Sequence, residues 1–130
     1  MTVIHAGARE RLDTSNRPAG CPASSAGMFV IRADGTARFD RHFHDFDEFW
    51  FVAAGRGTVS VAGIRCTVET GDIIYTAAGV DHDITTVAEE MRVFWLSGPL
   101  PEGSTGAHLH HTPADAVKHP IPVVPPSTGS

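Results

Sequence analysis

The chain is predicted to be a small all-β sandwich or barrel with an irregular N-terminal arm and a proline-rich C-terminal tail. Three observations predict it. Apolar, β-branched and aromatic residues come in runs of about five to seven, the length of a short strand. Gly55, Gly57, Gly63, Gly71 and Gly79 punctuate those runs. No window holds a 3.6-residue apolar period over three turns, which argues against helices. With 130 residues there is room for one domain, and an apolar share of 42% excludes a disordered chain.

Residues 1–27 mix Ala, Gly, Ser, Pro and charge without lasting periodicity, and are expected to form an arm with one short extended piece. Met28–Ala33 opens the core as an apolar strand. Asp34-Gly35 then reads as a hairpin turn, because both residues tolerate positive φ, with Thr36–Asp40 as the return strand. Glu48–Ala54, Thr58–Ala62, Ile64–Glu69, Ile73–Ala77, His82–Val87 and Met91–Leu96 follow as strands. After Gly98 the prolines at 99, 101, 113, 120, 122, 125 and 126 remove backbone donors, so residues 112–130 are expected to be an extended tail outside the core. The division is an arm over 1–27, a barrel core over 28–97, and a loop and tail over 98–130.

Charge and cysteine usage narrow the function classes. Ten Lys and Arg stand against fifteen Asp and Glu, a net charge of −5, so the basic footprint of a nucleic-acid or anionic-membrane partner is missing. The longest apolar run, Phe49–Ala54, is far too short to span a membrane, and Met1–Arg17 has no signal-like apolar stretch. Cys21 and Cys66 lack close-spaced partners and read as reduced thiols of a cytoplasmic protein, with Cys66 a small buried strand residue. The unusual feature is eight histidines in so short a chain.

Three of them sit where chemistry needs them. In His42-Phe43-His44-Asp45-Phe46-Asp47-Glu48, residues two apart on an extended strand share a face, so His42 and His44 project together. Glu48 has the same parity and joins them if residues 45–47 bend only slightly. Two imidazoles and a carboxylate suit a divalent first-row metal and leave open positions. Trp50 and Val52 continue that face as an apolar wall. His82, at the start of a later strand, is a fourth candidate, although an isolated strand-start histidine is usually solvated or satisfied in a core.

These segments resemble the cupin family. His42, His44, Glu48 and Gly55 fall on its first motif, His-x-His, three residues, Glu, six residues, Gly, without a spacing error. Gly71, Gly79 and His82 fall on its second motif, with Ala77 where Pro is usual and Thr86 where Asn is usual. The resemblance implies a double-stranded β-helix, or jelly roll, whose His42, His44, Glu48 and His82 bind one divalent transition metal, with iron favoured over zinc, manganese or nickel. It also implies a homodimer, to which residues 1–27 could lend a strand.

Around the ligands the residues leave alternatives open. Asp45 and Asp47 have outward parity and read as a solvated turn. Asp81 or Asp83 could orient the His82 ring. Tyr75 is a candidate acid or hydrogen-bond donor to substrate, with a barrel-wall role competing. Arg92 is a candidate anchor for an acidic substrate if its strand face is interior, and a surface arginine otherwise. His108, with His110 and His111, is a candidate acid-base group on a flap, or part of a surface cluster. Phe43, Phe46, Phe49, Trp50 and Phe51 are expected to give an apolar lining. The function expected is a metal-dependent enzyme on a small oxygen-rich metabolite, dioxygenase-type chemistry ahead of isomerase or lyase chemistry. A non-catalytic small-molecule-binding barrel is the rival from another class.

Overall fold

The structure, a computed structural model, describes residues 1–125. Among these residues seven strands form: β1 (Ser25–Ile31), β2 (Arg38–Phe39), β3 (Glu48–Val61), β4 (Ile64–Glu69), β5 (Ile73–Thr76), β6 (His82–Ser97) and β7 (His119–Pro120). A five-stranded antiparallel sheet runs β1-β6-β3-β4, with β5 pairing the beginning of β3 while β4 pairs its end. A second sheet joins β2 to β7. This is an all-β jelly-roll fold, as the sequence predicts.

The two long strands carry the architecture. β3 and β6 pair along their whole length, from Glu48 opposite Ser97 to Val61 opposite His82. Each merges two expected short strands: Gly55 and Gly57 bend β3 instead of ending it, and β6 follows that bend through Ala88, Glu89 and Glu90. The register slips repeatedly from Val52 to Val59, and each such bulge adds bend and twist. Gly55 sits there with φ +89°, and a Cβ on it would lie 2.0 Å from the Glu90 carbonyl oxygen. Only glycine meets both demands. Alternation along β3 then turns Glu48, Trp50 and Val52 inward, where Val52 packs in the core with Val59, Ile84, Met91 and Val93.

The structure departs from expectation in four further places. Asp34-Gly35 does not close a hairpin on β1, since β2 pairs instead with β7 from the far end of the chain. The tail is not outside the core: Ile121 is only 1% exposed, its N–H donates to the Ala37 carbonyl, and Val87 pairs with residues 122–124. The prolines there cost backbone donors, yet Ile121 between them keeps its own and fills the core. The tail's last residues, 126–130, lie outside the described residues. Cys66 is exposed on β4 instead of buried, because β4 is an edge strand with one covered position, Val68. Finally, Phe43, Phe49 and Phe51 have the wrong parity for an inner lining. Phe43 stacks on His111, Phe49 packs against Tyr75, and Phe51 is exposed.

Candidate metal centre

The bent β3–β6 ladder brings its opposite ends together, Glu48 at one and His82 at the other, and the His42–His44 and 108–110 segments join them. His42 and His82 exchange both backbone hydrogen bonds, at 3.2 and 2.8 Å, which places residue 42 beside the first residue of β6. On the other side Phe43 exchanges both bonds with Leu109, at 2.9 and 3.0 Å. Glu48 starts β3. The side chains of His42, Glu48 and His82 are consequently buried, and His44 is nearly so.

The imidazoles are close-packed. Ring centroids lie 4.9 Å apart for His42 and His44, 4.2 Å for His42 and His82, and 5.3 Å for His44 and His82. His44 Nε2 stands 3.0 Å from Glu48 Oε2, while the Trp50 indole N–H donates to Glu48 Oε1 at 2.6 Å. His42 Nδ1 lies 2.8 Å from the Asp40 carbonyl oxygen, and His44 Nδ1 lies 3.2 Å from that of Ala107. A carbonyl oxygen can only accept, so each Nδ1 carries a proton, and His42 Nε2 then keeps its lone pair. The His44 Nε2 contact with the Glu48 carboxylate is a hydrogen bond only with a proton on that nitrogen too, which a bound cation would displace.

Burial and charge prepare these groups further. Burial and the neighbouring His82 hold the His42 imidazole down to about 3. Burial holds His82 down to about 4, an effect the Glu48 carboxylate and Val80 backbone offset only in part. Burial also depresses His44, but the hydrogen bond and charge of Glu48 outweigh it and raise the group. Glu48 is lowered in turn, its burial outweighed by His44. Two neutral imidazoles and an ionised carboxylate are donors that need no proton removed before binding a cation.

The decisive feature is His82. It is 2% exposed, and neither ring nitrogen makes a well-formed hydrogen bond. Leaving such a polar group unpaired costs about 1–3 kcal/mol, so it calls for a partner the protein itself does not supply. One donor atom each from His44, Glu48 and His82 lies within 4.8 Å of the others, and the same holds for His42, His44 and His108. The residues therefore fit a divalent transition metal, by donor chemistry and by the unpaired buried nitrogens.

A cavity of about 500 Å³ opens on His42, His44 and Glu48, with Phe29, Phe39, Phe46 and Trp95 among its walls. Arg11, from the N-terminal arm, lies at its edge with its guanidinium 5.4 Å from the Trp95 ring centroid.

Residues 28–97, more than half of the chain, match the cupin domain family. The chain belongs to the cupin family. Among its relatives, the uncharacterized protein y4oW of Sinorhizobium fredii is 34% identical over 83 residues, 62% of this chain and 38% of that protein. This cupin thus spans well under half the length of that relative. Oxalate decarboxylase from Bacillus subtilis shares the fold with a TM-score of 0.60 at 18% identity, over 73% of this chain and 26% of that one. Salicylate 1,2-dioxygenase from Pseudoaminobacter salicylatoxidans does so with a TM-score of 0.51 at 16% identity, over 57% and 19% of the two chains.

Within the cupin frame the other candidates separate. His108 reaches the cavity wall, its ring stacked 3.7 Å from that of His42. Tyr75 and Arg92 do not. Tyr75 lies on the outer sheet face at 51% exposure, and Arg92 projects into solvent beside Glu90 at 3.6 Å. Strand parity decides both, since Glu48, Trp50 and Met91, Val93 take the inner positions of β3 and β6. Asp81 pairs with Arg41 at 2.9 Å and with His111, while Asp83 pairs with His119 at 2.8 Å, so neither orients the His82 ring. Asp45 does more than face solvent, accepting the Thr105 and Gly106 N–H groups and so holding the loop above the site.

Sequence reasoning missed Asp40 and Arg11. Asp40 had a signal, because it continues the parity of His42 and His44 by one more step of two. Arg11 had none, being one charge in an aperiodic arm.

Proposed function

We propose that this cupin is a metal-dependent enzyme acting on a small oxygen-rich metabolite, with dioxygenase-type chemistry ahead of isomerase or lyase chemistry. The supporting observation is that a cavity of substrate size opens on His42, His44 and Glu48, beside two overlapping donor triplets, His44/Glu48/His82 and His42/His44/His108. His42, His44, Glu48 and His82 are the residues that would hold one divalent ion, iron ahead of zinc, manganese or nickel. Such an ion, when bound, polarises a substrate oxygen and, as iron(II), also supports reaction with O₂.

The chain's own residues supply the rest. The Asp40 and Ala107 carbonyls set the tautomers of His42 and His44, and Trp50 aims Glu48. Phe29, Phe39, Phe46 and Trp95 keep bulk water from the reacting end of the cavity. Arg11, ion-paired with Asp13 at 3.6 Å on the same rim, is the cavity's guanidinium and could turn from Asp13 to a substrate carboxylate. His108 is the polar side chain of the upper wall and the one we assign to substrate contact. Tyr75 and Arg92 have no part in this reading. The likeness to oxalate decarboxylase supports a lyase as the second reading. We further propose that the protein works in the cytoplasm as a homodimer, in keeping with two free cysteines.

The test is the elemental content of untagged protein, followed by turnover screens. Near-stoichiometric iron with oxygen-consuming turnover of catechol-like or keto-acid compounds is expected. Turnover without oxygen consumption on manganese, zinc or nickel would move the assignment to the lyase or isomerase reading. Absence of metal, with none taken up on reconstitution, would leave a binding barrel and overturn the enzyme assignment.

A further inference from the structure

The His42–His44 segment has a counterpart across the cavity mouth. Leu109 is clamped to Phe43 by two backbone hydrogen bonds, so antiparallel pairing sets His110 opposite His42 and His108 opposite His44. His108-Leu109-His110 repeats the His-x-His spacing, and alternation turns all four imidazoles to one face, with Phe43 and Leu109 on the other. Between the two segments lies Asp40, whose side chain is only 10% exposed. Its Oδ2 is 2.6 Å from His108 Nε2 and 2.6 Å from His110 Nε2. Among the described residues, the ion-pair partners of Asp40 are histidines alone, since the neighbouring Arg41 is turned to Asp81.

We propose a second divalent transition-metal site formed by Asp40, His108 and His110, adjoining the His42/His44/Glu48/His82 set, with His108 standing between the two. One donor atom from each of the three lies within 4.8 Å of the others. Ligand atoms bound at 2.0–2.2 Å stand about 3–3.5 Å apart around one ion, so opening the 2.6 Å contacts by under about an ångström admits it. Two imidazoles and one carboxylate select zinc, copper, iron or nickel over calcium or magnesium. A buried carboxylate is costly unless a positive partner accompanies it, and a bound ion fulfils that role. His108 is half-exposed and lines the cavity, so the open positions of this ion face the substrate space.

The experiment is equilibrium dialysis of the full-length protein against cobalt(II), with bound metal measured by mass spectrometry and the ligand field read from the visible spectrum. Wild type is expected to bind two equivalents. His110→Ala, which leaves the first set untouched, is expected to bind one, with affinity for the other lowered at least about tenfold, no less than losing an outer partner costs. A His44→Ala/Glu48→Ala double variant is expected to keep one equivalent with the spectrum of the second site, so failure of the first site and of this one read out separately. His110→Gln carries the same test should the alanine variant unfold. A single equivalent in wild type, unchanged in His110→Ala, would overturn the proposal. So would loss of that equivalent in His108→Ala but not in His110→Ala, which would make His108 an extra ligand of the first ion.

Discussion

At the residue scale, the site depends on groups that hold other groups. His44 is a ligand candidate by its own atoms, whereas Trp50 acts through Glu48, to which its indole N–H donates at 2.6 Å. The two roles predict different losses. His44→Ala removes a donor and is expected to lower metal occupancy at least tenfold while the barrel stays folded, with far-UV circular dichroism unchanged. Trp50→Phe keeps an aromatic ring against Phe29 and Phe39 but frees one oxygen of Glu48. Its affinity for metal should fall about tenfold, the lower end of what removing an outer partner of a ligand costs. Metal titrations of both variants check this, and an unchanged affinity in His44→Ala would remove it from the ligand set. The donors were legible in the sequence because strand parity places residues 42, 44 and 48 on one face. Asp40 obeys the same parity. The orphaned nitrogens of His82 were not legible, since they depend on what the surrounding chain fails to offer, a property of the packed site alone.

At the element scale, legibility followed the range of the interactions. β4 was readable to the residue, Ile64–Glu69, because Ala62-Gly63 is a local turn that pins its register. The bend in β3 was read as a strand break, because glycines mark chain turns and bulges alike until the pairing partner is known. The β2–β7 pair was invisible: it joins residues about eighty positions apart, and proline around a strand normally argues against one. Ile121 shows what that pairing achieves. Its side chain closes the core beneath β2 although composition marks the whole region as tail. Ile121→Ala is therefore expected to cost about 2–5 kcal/mol, as for other fully buried aliphatic residues. Val117, 67% exposed in the same region, is the control, and Val117→Ala should stay within about 0.5 kcal/mol. Urea titrations of both variants decide it, and equal, small effects would return residues 112–125 to the status of an appended tail.

At the scale of the whole molecule, the two faces of the large sheet have opposite duties, and the candidate metal centre accounts for the inner one alone. Register sets Met28, Phe94, Phe51 and Ile73 in one row across β1, β6, β3 and β5. The next row runs Ala26, Leu96, Phe49 and Tyr75. Phe51, Phe94 and Leu96 are 36–40% exposed, Ile73 and Tyr75 more than half. A contiguous apolar patch of this kind on a small protein marks an interaction surface more often than free solvent contact. If the homodimer proposed above forms, this face is where burying apolar area stabilises it most, because the opposite face is already spent on the core. Placing a carboxylate at the centre of the patch should then separate the subunits without touching the donors, which lie on the other side of the sheet. Phe94→Glu is expected to sediment as a monomer at concentrations where wild type sediments as a dimer, and to keep the wild-type metal content. A wild type that stays monomeric throughout a dilution series would remove the dimer. A Phe94→Glu dimer as tight as wild type would instead move its interface off this face, to the arm or to the edge of β4.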